Sequence, residues 1–284
     1  MGLFARQKKR RSREEKLLDQ LVHIQVEEFI RRTLAEPKYA DERHLARYEF
    51  QAYSQSGEDG IIEEIFNRIG TTNRFFVEIG VGNGLQNNST YLLMKGWRGA
   101  WLEGNPGHLE IINAQFASFI ADKRLDPRCA MVTAQTVEAL LKDVGAPAEL
   151  DMLSIDIDGN DYYLWQAITS FRPRCFVVEY NATMRPNLPW VQIHQPTTKW
   201  NRTCHFGASL KSFELLSAKK GYKLVGCSLN GANAFFVRED LVGDKFISPF
   251  SAEQHYEPPR YFLIHRSGHP AGVGKFVGAE TVGQ

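Results

Sequence analysis

The middle of the chain alternates short apolar runs with segments whose apolar residues recur every three or four positions. The apolar runs predict strands at residues 74–79, 100–103, 129–133, 151–156, 175–179, 222–227 and 234–238. The periodic segments predict helices at residues 60–69, 90–95, 137–144, 162–169 and 210–219. This alternation indicates an α/β protein with a doubly wound, mostly parallel seven-stranded sheet covered by helices on both faces.

The last two predicted strands are joined by the short link SLNGAN, which contains the turn pair Asn230-Gly231. A link of this length and composition is typical of a hairpin, so these strands are expected to be antiparallel at the sheet edge. From about residue 246 the chain becomes rich in Pro, Gly, His and aromatic residues. We therefore expect a tail or flap over residues 246–284 that follows the main domain at 51–245.

Residues 1–50 differ from the rest and predict a basic helical extension. A basic run at residues 8–13 precedes a helical pattern that Pro37 ends. One face of this helix carries Leu18, Leu21, Val22 and Phe29. We favour a solvated helix packed on the domain or on a second subunit, as in a homodimer, over peripheral contact with an anionic membrane.

Composition narrows the class of partner and the compartment. The chain has 284 residues and a net charge of +1, so no overall field favours nucleic acid. Four scattered cysteines form no CxxC pair, which fits a reducing compartment better than a disulfide framework or a zinc site. No apolar run approaches the roughly 18 residues of a membrane span. The expected location is cytoplasmic, because no apolar region follows the basic start.

A glycine loop follows the first strand and is the strongest sign of a ligand. Glu78 lies in the strand, and Gly80, Gly82 and Gly84 follow it in GxGxG spacing. Dinucleotide folds favour GxGxxG, whose third glycine would fall at Leu85. The second strand ends in Glu103, a carboxylate able to accept both hydroxyls of a ribose. The loop therefore predicts a nucleoside ligand other than a dinucleotide, although glycines in such a turn can also serve packing alone.

These features resemble class I S-adenosylmethionine-dependent methyltransferases. The segments YSQSGEDGIIEEIF, FVEIGVGNG, GWRGAWLEGNP, LDMLSIDIDGNDYYLW, VVEYN and GASLKSFELLSAKKGYKLVGCSLNGANAFFVR resemble the FkbM-type branch. The resemblance implies a Rossmann-like fold and methyl transfer to oxygen, often on sugars or glycosylated products. It also implies which residues bind each part of the cofactor. The methionine part would contact Glu78, Gly80, Gly82 and Gly84, and the ribose would contact Glu103. One wall of the cofactor site would be formed by Gln55 and Glu58.

Acids and amides cluster after the fourth and fifth strands. SIDIDGND carries Asp156, Asp158 and Asp161, and VVEYN carries Glu179 and Asn181. Oxygen ligands gathered at one sheet edge suit Mg²⁺, so Asp156, Glu179 and Asn181 are predicted to bind a divalent cation that assists catalysis.

Three other interpretations of this cluster stay open. Asp156 can hydrogen-bond the amino group of the methionine moiety. Asp158, with the two residues that follow it, can form a turn and cap the next helix. Glu179 can be the general base without a metal.

A long insertion after the fifth strand adds candidates for the acceptor side. His205 is a possible general base, with His194 a weaker one; a surface histidine is the competing interpretation. Trp190, Trp200 and Phe206 can stack on a sugar or form the insertion's own core.

The sequence thus predicts an O-methyltransferase acting on a saccharide or glycosylated small molecule. The alternatives are a nicotinamide-dependent oxidoreductase and a non-catalytic nucleoside-binding protein in glycan assembly or export.

Overall fold

The computed structural model describes residues 12–195, 200–264, 269–276 and 279. The chain divides into two compact units, Met1–Ala40 and Asp41–Gln284. Among the described residues, no helix has the length and apolar character needed to cross a membrane.

The first unit contains helix α1 (Arg13–Leu34) and a 3₁₀ helix (Pro37–Tyr39). Ser12 caps α1 through a reciprocal pair: the Glu15 N–H donates to Ser12 Oγ, and the Ser12 N–H donates to Glu15 Oε2. Of the predicted basic run at residues 8–13, residues 8–11 lie outside the described residues. The side chains of Leu17, Leu18, Leu21 and Ile24 are exposed on α1.

The second unit is built on one seven-stranded sheet. Its strands are β1 (Phe75–Ile79), β2 (Arg98–Glu103), β3 (Leu125–Cys129), β4 (Met152–Ile155), β5 (Cys175–Glu179), β6 (Tyr222–Cys227) and β7 (Asn233–Arg238). The order across the sheet is β3-β2-β1-β4-β5-β7-β6. The first five are parallel, and β7 is antiparallel to both β5 and β6. The predicted doubly wound sheet with an antiparallel edge hairpin is confirmed.

Helices cover both faces of this sheet. They are α2 (Glu58–Ile69), α3 (Thr90–Met94), α4 (Pro106–Gln115), α5 (Ala117–Ala121), α6 (Val137–Asp143), α7 (Asp161–Ala167), α8 (Leu210–Lys219), α9 (Glu239–Val242) and α10 (Ala252–His255), with short 3₁₀ helices at Leu45–Tyr48 and Tyr261–Leu263. The five predicted helices are present. Sequence reasoning missed α4, where only Ile112 is buried, so its apolar periodicity is weak.

Each face of the sheet has its own hydrophobic core. On one face, Leu164 and Trp165 of α7 and Phe213 of α8 pack with Phe176 of β5. The Trp165 and Phe176 rings stack with centroids 3.9 Å apart. On the other face, the core contains Ile61 and Ile65 of α2, Leu92 of α3 and Ile112 of α4. Burial on both faces explains why the strands are continuous apolar runs.

The third strand was predicted at residues 129–133, and this position is wrong. The strand is Leu125–Cys129, with Pro127 opposite Trp101 of β2. Proline lacks an N–H, but β3 lies at the edge of the sheet, where the missing donor leaves no neighbouring strand unpaired. The proline made this segment look unlike a strand.

The segments that flank the predicted 51–245 domain are packed within the second unit. Leu45 and Phe246 belong to the core on the α2 face, and Ala252 belongs to the other core. The Tyr180 hydroxyl donates to the Glu257 carbonyl at 2.6 Å. The domain boundaries at residues 50 and 246 stay a prediction.

Candidate functional site

A cavity of about 940 Å³ opens at the carboxyl ends of β1, β2 and β4. This is the edge at which doubly wound sheets bind ligands. Its walls come from the glycine loop after β1, the segment after β2, the start of the loop after β3, and the loop after β4. The lining residues that matter below are Gln55, Glu78, Gly80, Gly82, Glu103, His108, Met131, Asp156, Asp158, Trp200 and Asn233.

The glycine loop needs its glycines for two different reasons. Gly80 has φ 84°, and a methyl group there would lie 1.6 Å from the Asp156 carbonyl oxygen. Gly82 has φ 56°, but a methyl group there would meet nothing within 4 Å. Gly80 is therefore required by packing against the loop after β4, whereas Gly82 faces open space in which a ligand can approach the backbone.

Glu78 is buried beneath this loop, and the chain itself supplies its hydrogen-bond donors. Its carboxylate accepts from Asn87 Nδ2 (2.9 Å), the Asn88 N–H (2.8 Å), the Ser89 N–H (2.9 Å) and the Ser89 hydroxyl. Burial raises its pKa to about 7, against the lowering effect of these bonds. Glu78 therefore holds the polar segment that precedes α3, while it also lines the cavity.

Glu103 joins the glycine loop to the end of β2. Its Oε2 accepts the Gly82 N–H at 2.8 Å, and its Oε1 accepts the Asn105 N–H at 2.8 Å. His108 Nδ1 lies 3.4 Å from Oε1. The carboxylate is thus fixed at the cavity wall by two main-chain donors, and its remaining lone pairs can accept ligand hydroxyls.

Asp156, Asp158 and Glu179 form a compact acidic cluster. One carboxylate oxygen from each lies within 4.8 Å of the others. No hydrogen bond or ion pair links the Asp156 or Glu179 carboxylate to a residue in the part of the chain that the structure describes. Burial, followed by nearby negative charges such as Asp161 on Asp156 and Asp156 on Glu179, raises both pKa values well above the usual range.

Asp161 and the predicted cation ligand Asn181 both form hydrogen bonds with the main chain. The Asp161 carboxylate accepts the Ile157 N–H (2.8 Å) and the Gly159 N–H (2.9 Å), so it caps the loop after β4. Asn181 Nδ2 donates to the carbonyls of Cys204 and Phe206, and its Oδ1 accepts the Thr183 N–H at 3.1 Å. The structure does not bring Asn181 into the acidic cluster; its side chain anchors the returning insertion.

The segment before β1 contributes Gln55 but not Glu58 to the lining of the cavity. Glu58 is buried at the start of α2, where Oε1 accepts from Ser56 Oγ (3.1 Å) and Asn233 Nδ2 (3.3 Å), and Oε2 accepts the Ser56 N–H (2.8 Å). Glu58 therefore lies behind the cavity wall and holds Ser56 and Asn233 in place.

The two histidines of the insertion, His194 and His205, do not line the large cavity. His205 is exposed and lines a second cavity of about 150 Å³ that Asn181, Trp190 and Phe206 also line. His194 packs its ring 4.7 Å from that of Tyr163. Of the aromatic candidates, Trp200 lines the large cavity. The structure therefore does not place His205 with Asp156 and Glu179, and its proposed role as a base stays a prediction.

Sequence reasoning missed Asn233, the first residue of β7, and did not include Asp158 among the cation ligands. Asn233 is opposite Glu179 in the β5–β7 register and lines the large cavity. A hairpin strand next to β5 in antiparallel sense brings its first residue to the carboxyl edge of the sheet. The sequence feature that could have identified Asn233 is the SLNGAN turn, because this turn fixes where β7 begins.

No family model matches the sequence, and no curated protein matches it significantly. Among solved structures, the chain is similar to a Staphylococcus aureus protein described as a caffeoyl-CoA O-methyltransferase (11% identity, 80% of this chain and 100% of that chain, TM-score 0.45). It is similar to an O-methyltransferase of Bacillus cereus in complex with SAH (14%, 76% and 89%, 0.40). It is also similar to the CcbJ methyltransferase of Streptomyces caelestis (13%, 69% and 96%, 0.42). Because these identities and TM-scores are low, we infer the function from the residues of the chain's own site.

Proposed function

We propose that the chain is an S-adenosylmethionine-dependent methyltransferase that methylates an acceptor hydroxyl. The observation that carries the proposal is the charge of the cavity. Among the described residues that line it, the ionisable side chains are Glu78, Glu103, Asp156, Asp158 and His108. Four acids and one histidine favour a ligand that brings positive charge and hydroxyls, as a sulfonium, an ammonium and a ribose do. The same acids disfavour the pyrophosphate of a nicotinamide dinucleotide.

Each part of the cofactor has a suitable wall. Glu103 is fixed by the Gly82 and Asn105 N–H groups and has lone pairs left for the ribose hydroxyls. Gly82 leaves its backbone open to the methionine part. Met131 and Val132, just past β3, offer apolar surface for the flat adenine ring. The bound cofactor supplies an activated methyl group on sulfur.

The remaining chemistry falls to the acidic cluster. Methyl transfer from sulfur to oxygen is in line, so holding the acceptor oxygen in place provides much of the rate enhancement. The acceptor proton then needs a base, and Asp156 and Glu179 are the predicted catalytic carboxylates. Burial and the neighbouring negative charges raise the pKa of both carboxyls, and a raised pKa makes each carboxylate a stronger base than a free one.

Mg²⁺ assistance is the second way in which the cluster could activate the acceptor, with the carboxylates as ligands of the ion instead of as the base. Three carboxylates with oxygens within 4.8 Å of one another are ligands of the type that Mg²⁺ prefers. A bound divalent cation supplies positive charge that lowers the pKa of an acceptor hydroxyl. The cluster fits such an ion, since no described cationic side chain neutralises Asp156 or Glu179.

The acceptor and the assembly are expectations from the resemblance and the sequence. A saccharide or glycosylated acceptor is supported by Trp200, whose indole lines the cavity and can stack on a sugar ring. A homodimer through α1 is supported by its exposed apolar side chains. A cytoplasmic location stays a prediction.

Calorimetry of the full chain with S-adenosylmethionine and S-adenosylhomocysteine tests the function. We expect both to bind, NAD⁺ not to bind, and Glu103→Gln to weaken binding at least tenfold, as expected for losing a charged hydrogen-bond acceptor. Glu110→Gln, an exposed acid on α4, is the matched control and should bind like the wild type. A folded chain that binds neither compound would refute the proposal.

A further inference from the structure

Asn233 has a buried oxygen without a hydrogen-bond partner. Its side chain is 5% exposed, and its Oδ1 accepts no hydrogen bond from any residue that the structure describes. The orientation of the amide follows from its neighbour: Nδ2 faces the Glu58 carboxylate, which only accepts, at 3.3 Å. Leaving a buried amide oxygen unpaired destabilises the fold, so this atom is suited to meet a ligand.

The sheet register places Asn233 beside the acidic cluster. Asn233 is directly opposite Glu179 in the antiparallel β5–β7 pair. Directly opposed residues point to the same face of a sheet. Asp156 directly follows β4 and extends the parallel register in which Ile155 pairs with Val178, so it aligns with Glu179. Asp156, Glu179 and Asn233 therefore form one row across three adjacent strands, on the face that α2 covers.

The groups around this row indicate a cation. Asp156, Asp158 and Glu179 bring their carboxylate oxygens together, and Glu58 lies behind Asn233. Among the described residues, no lysine or arginine side chain forms an ion pair with this cluster. Asn233 adds a neutral oxygen to three carboxylates, and such an oxygen set is typical of Mg²⁺, Mn²⁺ and Ca²⁺ sites.

We propose that Asn233 Oδ1, together with the carboxylates of Asp156, Asp158 and Glu179, binds a divalent cation. Asn233 takes the place that the sequence assigned to Asn181, whose oxygen accepts the Thr183 N–H instead. This inference rests on the proposed function, since it names the fourth oxygen ligand of the cation site within it. It also gives Glu58 a role: by holding Nδ2, Glu58 directs the amide oxygen away from itself.

Titration of the full chain with Mn²⁺, followed by the electron paramagnetic resonance signal of free Mn²⁺, tests the site without an acceptor. It is run with and without S-adenosylhomocysteine. We expect Asn233→Leu, which is close in size, to weaken Mn²⁺ binding at least tenfold. Asn160→Leu is the matched control: Asn160 lines the same cavity, but its Nδ2 donates to the Gln195 carbonyl. This control should bind Mn²⁺ within twofold of the wild type.

Asn233→Asp tests the same atom in the opposite direction, because a carboxylate at a ligand position should keep or tighten Mn²⁺ binding. This variant also decides the matter if Asn233→Leu does not fold. The inference is overturned if the wild type binds no Mn²⁺ in either condition, or if a folded Asn233→Leu binds it like the wild type. It is also overturned if Asn233→Asp loses more than tenfold. Mn²⁺ binding without S-adenosylhomocysteine binding would instead refute the proposed function.

Discussion

Two pairs of carboxylates at the same edge of the sheet have opposite surroundings. At the ends of β1 and β2, Glu78 and Glu103 accept hydrogen bonds from main-chain N–H groups of the loops around them. At the ends of β4 and β5, Asp156 and Glu179 have no such donor among the described residues. The two pairs also differ in exposure, since Glu78 and Glu103 are buried whereas Asp156 and Glu179 are half-buried.

The difference separates carboxylates that the folded chain already supplies with main-chain donors from carboxylates that it leaves without them. The first pair has hydrogen-bond donors before any ligand binds, so the folded chain offsets part of the cost of burying its charge, and Glu103 still has lone pairs for a ligand. The second pair is incomplete, and burial together with mutual repulsion raises the pKa of both acids. Acids that lack hydrogen-bond donors and positive neighbours are typical of functional sites, where some stability is lost in favour of binding or catalysis.

The largest expected effect comes from removing a carboxylate of the first pair. Glu78→Ala leaves the Asn88 and Ser89 N–H groups and the Asn87 amide without an acceptor. We expect the free energy of unfolding to fall by about 3 kcal/mol. Urea denaturation at pH 7 measures it, with Glu110→Ala as a control that should change little. A loss below about 1 kcal/mol would mean that these bonds are not what completes the first pair.

The pH dependence of stability should carry the signature of Glu78. Its pKa is raised from 4.5 when unfolded to about 7 when folded, mainly by burial. Between these values the folded chain holds the proton more tightly, so the free energy of unfolding falls as pH rises from about 4.5 to about 7 and levels off above. Comparing Glu78→Gln with the wild type by urea denaturation isolates this contribution, of about 3 kcal/mol. Parallel pH profiles for the two proteins would contradict it.

A smaller effect of opposite sign is expected in the second pair. Asp156→Asn removes one acid from the cluster and breaks no hydrogen bond to a described residue, so it should stabilise the free chain by about 1 kcal/mol. Thermal unfolding in EDTA measures the gain, and Asp143→Asn, an exposed acid at the end of α6, is the control. A destabilised Asp156→Asn would show that the second pair is satisfied after all.

Much of the fold and part of the site could be predicted from the sequence. β5, β6 and α8 lie where the apolar pattern placed them, because these elements bury regular apolar sets. The strand-end acids Glu103 and Asp156 line the cavity because parallel strands end at one edge. β3 was misplaced because Pro127 is tolerated only through the strand's edge position.

The rest depended on contacts between residues far apart in the chain. Asn181 was expected to point into the crevice, but the carbonyls of Cys204 and Phe206, which bind its amide, lie more than twenty positions away. Asn233 becomes part of the site only through the β5–β7 register. No local pattern encodes either arrangement.

The contact between Gly80 and the Asp156 carbonyl has a mechanical consequence. Because there is no room for even a methyl group between them, the loops after β1 and β4 bear directly on each other through the main chain. The main-chain spacing between the glycine loop and the loop that carries Asp156 is therefore set by this contact and not by side-chain rotamers. A larger residue at position 80 would therefore change the distance between two walls of the cavity.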